Sequence, residues 1–196
     1  TWGCALAMLL HDNGHTVTVW SALPDEARQL QADHEHKNLP GVHLPEEIVF
    51  TDSLAEAMTD RDLLVLAVPS IYTRSTARAM SPYCRYGQLV VDVAKGIEED
   101  TLMTLSQVTR EELPMANVAV LSGPSHAEEV ARRLPTTCVT AAREMETARY
   151  IQNVFMSPVF RVYTSEDMLG IELGGALKNV IALAAGIADG LGYGDN

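Results

Sequence analysis

Cysteine is scarce in this sequence, with three in 196 residues. Cys4, Cys84 and Cys138 are odd in number, widely spaced and without a C-x-x-C pair. That argues against a disulfide scaffold or a cysteine-based zinc site and favours reduced thiols in a cytoplasmic protein. Positive charge is also in short supply. Fourteen Lys and Arg against 26 Asp and Glu leave a formal net charge of −12, the reverse of what a nucleic-acid backbone demands. Small anionic substrates remain open, because a few local cations can dominate a cleft. No internal repeat or low-complexity stretch is present. No segment reads as a membrane span. The apolar run from Cys4 to Leu10 lacks the basic flank and cleavage site of a signal peptide and runs into His11-Asp12-Asn13-Gly14. No G-x-S-x-G elbow accompanies the adjacent Ser125 and His126, so they are not read as a hydrolase pair. His34 and His36 do not share a helical face and have no further ligand cluster near them, so no metal is expected.

What the sequence does have is 47% hydrophobic and 20% charged residues, enough apolar material for a packed core. The pattern alternates helix and strand. Residues 2–13 predict a helix with small residues on one side, stopped at Asn13-Gly14. Residues 15–20 alternate as a strand. A polar helix over 24–35, a loop marked by Leu39-Pro40-Gly41, and a short strand at 48–50 follow. Ser53 and Glu56 have capping-box spacing and open a helix to about residue 59. The apolar run 63–68 predicts a strand buried on both faces. Further elements are a helix over 71–80, a strand at 88–93, a helix over 101–112 and a strand at 118–121. A helix after Gly123-Pro124-Ser125, a strand near 136–141, a helix near 144–156 and a strand near 159–164 complete the series. This order predicts an α/β, Rossmann-like, doubly wound, mostly parallel sheet over residues 1–164. From residue 165 the character changes, and the apolar, glycine- and alanine-rich helix 168–190 is expected to begin an all-α second domain.

Three places carry chemistry. Gly3, followed by a small-residue helix and a strand, fits the third glycine of a dinucleotide-binding turn. The two earlier glycines and the first strand would precede residue 1. Lys95 follows a buried strand, at the end of the sheet where ligands of open α/β proteins bind; a solvated loop lysine is the plainer reading. Lys178 lies within Gly174-Gly175-Ala176-Leu177-Lys178-Asn179-Val180. A helix apolar all round is a buried helix, and a lysine inside it would have its pKa lowered towards that of a general acid or base. Gly174, one turn earlier, would leave room for a ligand; a lysine snorkelling at the helix surface is the alternative. The cofactor preference is open, because Ser21-Ala22-Leu23 after the second strand supplies neither the acid that selects NAD nor an arginine for NADP.

Taken in order, these segments resemble the NAD(P)-dependent glycerol-3-phosphate dehydrogenases. The matching stretches are Trp2-Gly3-Cys4-Ala5-Leu6-Ala7, Leu39-Pro40-Gly41, Ala67-Val68-Pro69-Ser70, Ala94-Lys95-Gly96-Ile97-Glu98, Ser122 through Glu129, Phe160-Arg161-Val162-Tyr163, Leu173 through Val180 and Asp189 through Asn196. The resemblance implies hydride transfer between NAD or NADP and the pair glycerol 3-phosphate and dihydroxyacetone phosphate, supplying glycerol 3-phosphate for phospholipid synthesis in the cytoplasm. It implies cofactor contacts at Thr1, Trp2, Gly3, Tyr72, Lys95 and Ala127. It implies substrate contacts at Lys95, Gly123, Ser125, Lys178 and Asn179, with Lys178 the proton acceptor and Lys95 its catalytic neighbour. Ala22 departs from the resemblance, where the family often has a basic or polar residue. The groups that grip the substrate phosphate would lie beyond residue 196, so the chain by itself is expected to be inactive; the resemblance also implies a homodimer for its parent. The alternatives are another Rossmann-type hydroxy-acid or sugar-acid dehydrogenase, or a nucleotide-binding module without catalysis.

Overall fold

The computed structural model describes residues 1–193. Seven strands and eight α-helices alternate along these residues: α1 (Trp2–Asp12), β1 (Thr18–Trp20), α2 (Pro24–Asp33), β2 (Val49–Thr51), α3 (Leu54–Met58), β3 (Leu63–Leu66), α4 (Thr73–Met80), β4 (Leu89–Asp92), α5 (Leu105–Glu112), β5 (Asn117–Ser122), α6 (Ala127–Ala131), β6 (Thr136–Ala142), α7 (Met145–Phe155), β7 (Phe160–Ser165) and α8 (Met168–Gly190). The strands form two sheets, one of order β1-β2 and one of order β3-β4-β5-β6-β7. Every pairing is parallel except β5 with β6, which run antiparallel with Val120 opposite Ala141.

Helices cover both faces, and each face has its own core. On one, Leu6, Leu9 and Leu10 of α1 pack with Val91, Ala119, Leu121, Val130, Ile151 and Phe155. On the other, Met58, Ala77, Met80 and Leu113 pack with Leu64, Leu66 and Val90. The β3 run is less buried than its composition predicts, since Leu64 and Leu66 are buried while Leu63 and Val65 are only partly so. The reason is its neighbourhood: among the described residues β3 pairs with β4 alone. A cavity of about 480 Å³ opens between it and β1, lined by Gly3, Leu6, Val17, Val19, Leu63 and Val65 among others.

Local chemistry moves several boundaries. The expected helix over 101–112 starts only at Leu105. Leu102 has φ +58°, and Thr104 closes a capping box with Gln107. Helix α2 stops at Asp33 because His34 turns left-handed. At Ser53 only half the expected capping box forms. Its hydroxyl accepts from the Glu56 amide at 3.3 Å, whereas the Glu56 carboxylate takes the Thr51 hydroxyl at 2.7 Å.

The largest departure is α8. An all-round apolar helix is expected to be buried, yet none of its residues is. Its first half, through Ala176, lies partly covered against β5 and β6. Beyond that Leu177, Val180, Ile181, Leu183 and Ile187 are all exposed, because no described element lies against them. By length and composition alone α8 is long and apolar enough to cross a membrane, where the sequence is read as holding no membrane span. Of the closing stretch Asp189 through Asn196, the last three residues lie outside those described.

Candidate functional site

The side chains brought together sit at the carboxyl ends of β4 and β5. Strand β4 ends at Asp92, and the chain turns through Val93-Ala94-Lys95-Gly96. The turn is set by Asp92, whose buried carboxylate accepts the Ala94 amide at 2.9 Å and the Thr109 hydroxyl at 3.2 Å. Burial pushes this carboxyl up to about 7, against the pull of those two hydrogen bonds. Gly96 has φ +152°, and a Cβ there would stand 2.8 Å from the Ser70 Cβ. Only glycine lets the loop after β4 pass so close to the loop after β3.

Lys95 is thereby half-buried. Its Nζ donates to the Ser125 Oγ at 3.1 Å and lies 5.8 Å from the centroid of the Trp2 ring. Burial lowers its pKa; Cys138 opposes that shift and the charge of Lys178 adds to it. The plain reading of Lys95 as a solvated loop residue does not hold. Cys138, which sequence reasoning took only as a free thiol, is part of this cluster. Burial pushes its thiol up to about 11, against the opposing pull of Lys95 and Ser125. Gly123 allows β5 to turn into α6 here. A Cβ on it would meet the Thr137 carbonyl oxygen at 2.6 Å and the Cys138 Cα at 2.9 Å. Ser125 is held in this turn, while His126 is exposed and borders Glu128.

Helix α8 approaches the cluster through Gly175. A Cβ there would meet the Ser122 Oγ at 2.7 Å and the Lys95 Cγ at 3.5 Å. Gly174, the residue expected to leave room, has nothing within 4 Å. Lys178 and Asn179 lie one turn beyond Gly175 on the same helical face. Both are exposed, so the buried lysine predicted from composition is not what is found. The helix is fastened by Glu172, a residue the sequence did not single out. Its carboxylate accepts the Ser106 amide at 2.8 Å, the Ser106 hydroxyl at 2.7 Å and the Thr104 hydroxyl at 2.9 Å.

Tyr72 is exposed in the short 3₁₀ turn after β3, and Ala127 opens α6. Thr1 is the N-cap of α1 but makes no side-chain cap, and the first bond inside the helix is Ala5 N to Thr1 O. Among the described residues the first-turn amides of α1 therefore have no partner, which suits an anion. The indole Nε1 of Trp2 is buried and, among the described residues, without a partner. Free amides, an orphaned donor and a half-buried ammonium fit the pyrophosphate and ring of a dinucleotide. Gly3 is not forced by its neighbours, since a Cβ there would make only ordinary contact with the Ala67 Cβ at 3.5 Å. His34 and His36 are buried; His34 Nδ1 lies 3.1 Å from the Pro45 carbonyl oxygen, and His36 Nδ1 accepts the Asn38 amide at 3.0 Å.

A mostly parallel sheet with helices on both faces, a helix N-terminus open to an anion and a half-buried lysine at the strand tips define a Rossmann-type dinucleotide-binding unit joined to a further helix. Known proteins agree. The N-terminal description of the NAD-dependent glycerol-3-phosphate dehydrogenases matches residues 1–148, and the C-terminal one matches residues 167–196. The chain belongs to that family. It is 59% identical over 197 residues to the glycerol-3-phosphate dehydrogenase [NAD(P)+] of Agathobacter rectalis and 46% identical over 200 residues to that of Bacillus subtilis. The match covers all of this chain but 59% and 58% of those proteins, so the chain spans about three fifths of their length. Among solved structures, glycerol-3-phosphate dehydrogenase from Coxiella burnetii superposes with a TM-score of 0.89 at 32% identity, covering 100% of this chain and 60% of that one. A UDP-D-ManNAc dehydrogenase from Pyrococcus horikoshii, at 13% identity and a TM-score of 0.76 over 92% of this chain and 48% of its own, shares the fold alone.

Proposed function

We propose that the protein carrying this chain interconverts sn-glycerol 3-phosphate and dihydroxyacetone phosphate with NAD or NADP, in the cytoplasm and as a homodimer, and so supplies glycerol 3-phosphate for phospholipid synthesis. The observation that carries the reading is the Lys95 ammonium, half-buried, bonded to Ser125, beside the Trp2 ring and within the field of Lys178. Residues 1–164 form the dinucleotide-binding domain, and residue 165 onward begins the substrate domain. The cavity between β1 and β3 is where that first domain takes in one more strand.

A bound nicotinamide cofactor would supply hydride transfer to or from the central carbon of the substrate. The first-turn amides of α1, from Trp2 and Gly3, would hold the pyrophosphate, with Thr1, Tyr72 and Ala127 as the further cofactor contacts. Lys178 exchanges the proton on the oxygen of the reacting carbon, with Asn179 beside it. Lys95 counters the negative charge that develops on that oxygen, and Ser125 and Gly123 border the substrate. A positioned proton-transfer group of this kind is worth about 10²–10⁴-fold in rate.

The test is the oxidation of NADH and NADPH by dihydroxyacetone phosphate in the intact protein, wild type against Lys178→Ala. A fall of at least about 10²-fold in kcat, with nucleotide binding kept, is expected. Unchanged turnover would remove Lys178 from the chemistry, and absence of any turnover in the wild type would sink the reading.

A further inference from the structure

The stretch after β1 supplies neither an acid nor an arginine, yet the fold delivers an acid to that place from the next helix. Glu26 is in the first turn of α2. Its Oε2 accepts the Ser21 hydroxyl at 2.6 Å, which draws the carboxylate back to the carboxyl end of β1. Its Oε1 lies 4.0 Å from the His36 Nε2, too long for a hydrogen bond, and takes no donor among the described residues. His36 in turn accepts the Asn38 amide, and the Asn38 side chain donates to the Thr1 Oγ1 at 3.1 Å. A chain of contacts thus runs from the N-terminus of α1 to the Glu26 carboxylate. Burial is the main cause that raises the pKa of Cys4 in the first turn of α1, and the charge of Glu26 adds to it.

We propose that Glu26 receives the adenosine ribose hydroxyls of the dinucleotide and makes the protein select NAD(H) over NADP(H). The proposal rests on the reading of the α1 N-terminus as a nicotinamide-dinucleotide site. Its physical basis is that an acid roughly 20 residues past the glycine turn accepts the ribose 2′-hydroxyl in such folds. The open oxygen of Glu26 can do so, whereas a 2′-phosphate would bring two or so negative charges against a carboxylate. Compensating cations are few. Ala22 is exposed and neutral, and Arg28 is paired with Asp25. Lys37 is exposed on the loop beside His36, with no ion pair to Glu26.

The test is binding of NADH and NADPH to the intact protein by calorimetry, for wild type, Glu26→Gln and Lys37→Ala. NADPH is expected to bind at least about tenfold more weakly than NADH in the wild type, the worth of one hydrogen bond to a charged group. Glu26→Gln should narrow that ratio from both sides, weakening NADH and strengthening NADPH, while Lys37→Ala leaves it in favour of NADH. Equal or tighter binding of NADPH in the wild type overturns the proposal, and its loss in Lys37→Ala would assign the site to the lysine instead. A ratio unmoved by Glu26→Gln overturns it too. Failure of both nucleotides to bind the wild type would instead sink the dinucleotide reading itself, and this proposal with it.

Discussion

Glu172 on α8 and Ser106 on α5 are joined twice, through the amide at 2.8 Å and the hydroxyl at 2.7 Å. The carboxylate of one helix thus serves the free N-terminal groups of another, where a negative charge is favoured. It is a polar attachment of the long helix to the sheet domain, three residues before the Gly175 that approaches Lys95.

Glu172→Ala should release that attachment. Hydrogen bonds to a charged group are each worth about 1.5–3 kcal/mol. Amide exchange over the first half of α8 and the first turn of α5 is expected to quicken at least about tenfold, as these bonds are lost together. Unchanged protection there would mean that the apolar contacts with β5 and β6 hold α8 without it.

Asp92 makes stability depend on pH in a direction opposite to the usual carboxylate. Its folded pKa is about 7, against 3.8 as the ordinary value. The stabilisation is therefore complete below about pH 4 and is lost as the pH rises through 7. Asp92→Asn, which keeps an acceptor for the Ala94 amide, should come closest to the wild type at or below about pH 4 and pull ahead steadily between about pH 4 and 7. It should exceed it at pH 8 by an amount on the order of 2–4 kcal/mol. Chemical denaturation at the two pH values measures the difference, and a constant offset between the proteins would show that the carboxyl does not titrate there.

Lys95→Met keeps the aliphatic stem beside Trp2 and Gly175 and removes the charge. On the proposed function it should lower kcat/KM with dihydroxyacetone phosphate by about 10²-fold or more, as for a lost electrostatic donor in a water-poor site. The melting temperature should hold or rise, because a desolvated cation has been replaced by an apolar group. A stable variant with full activity would argue against Lys95 acting at the substrate.

Two glycines give a contrasting pair. Gly174→Ala meets nothing within 4 Å and should stabilise the helix by about 1 kcal/mol. Gly123→Ala would press on the Thr137 carbonyl and the Cys138 backbone and should destabilise by about 1–3 kcal/mol. Thermal unfolding of both separates a glycine needed for close approach from one that is not.

Much of the architecture can be read from periodicity, because burial imposes it locally. The apolar β4 and β5 runs, the stop at Asn13-Gly14 and the alternation of helix with strand are all visible in the chain. Lys95 and Gly96 stand out for the same reason, at the end of a buried strand. Glu26 and Glu172 do not. Each is an acidic residue on a helix, indistinguishable in sequence from a solvated one, and its role comes from Ser21 and Ser106, supplied by other elements.

The residue order of this chain by itself determined the α/β class, the element order and the lysines and glycines at the strand tips, since each follows from neighbours along the backbone. Tertiary structure decided the rest. It set the antiparallel β5–β6 pairing, the joining of Lys95 with Ser125 and Cys138, the return of Glu26 to the end of β1, and the exposure of Lys178. Composition states what a helix could bury, but burial requires a surface to cover it, and past Ala176 no described element lies against α8.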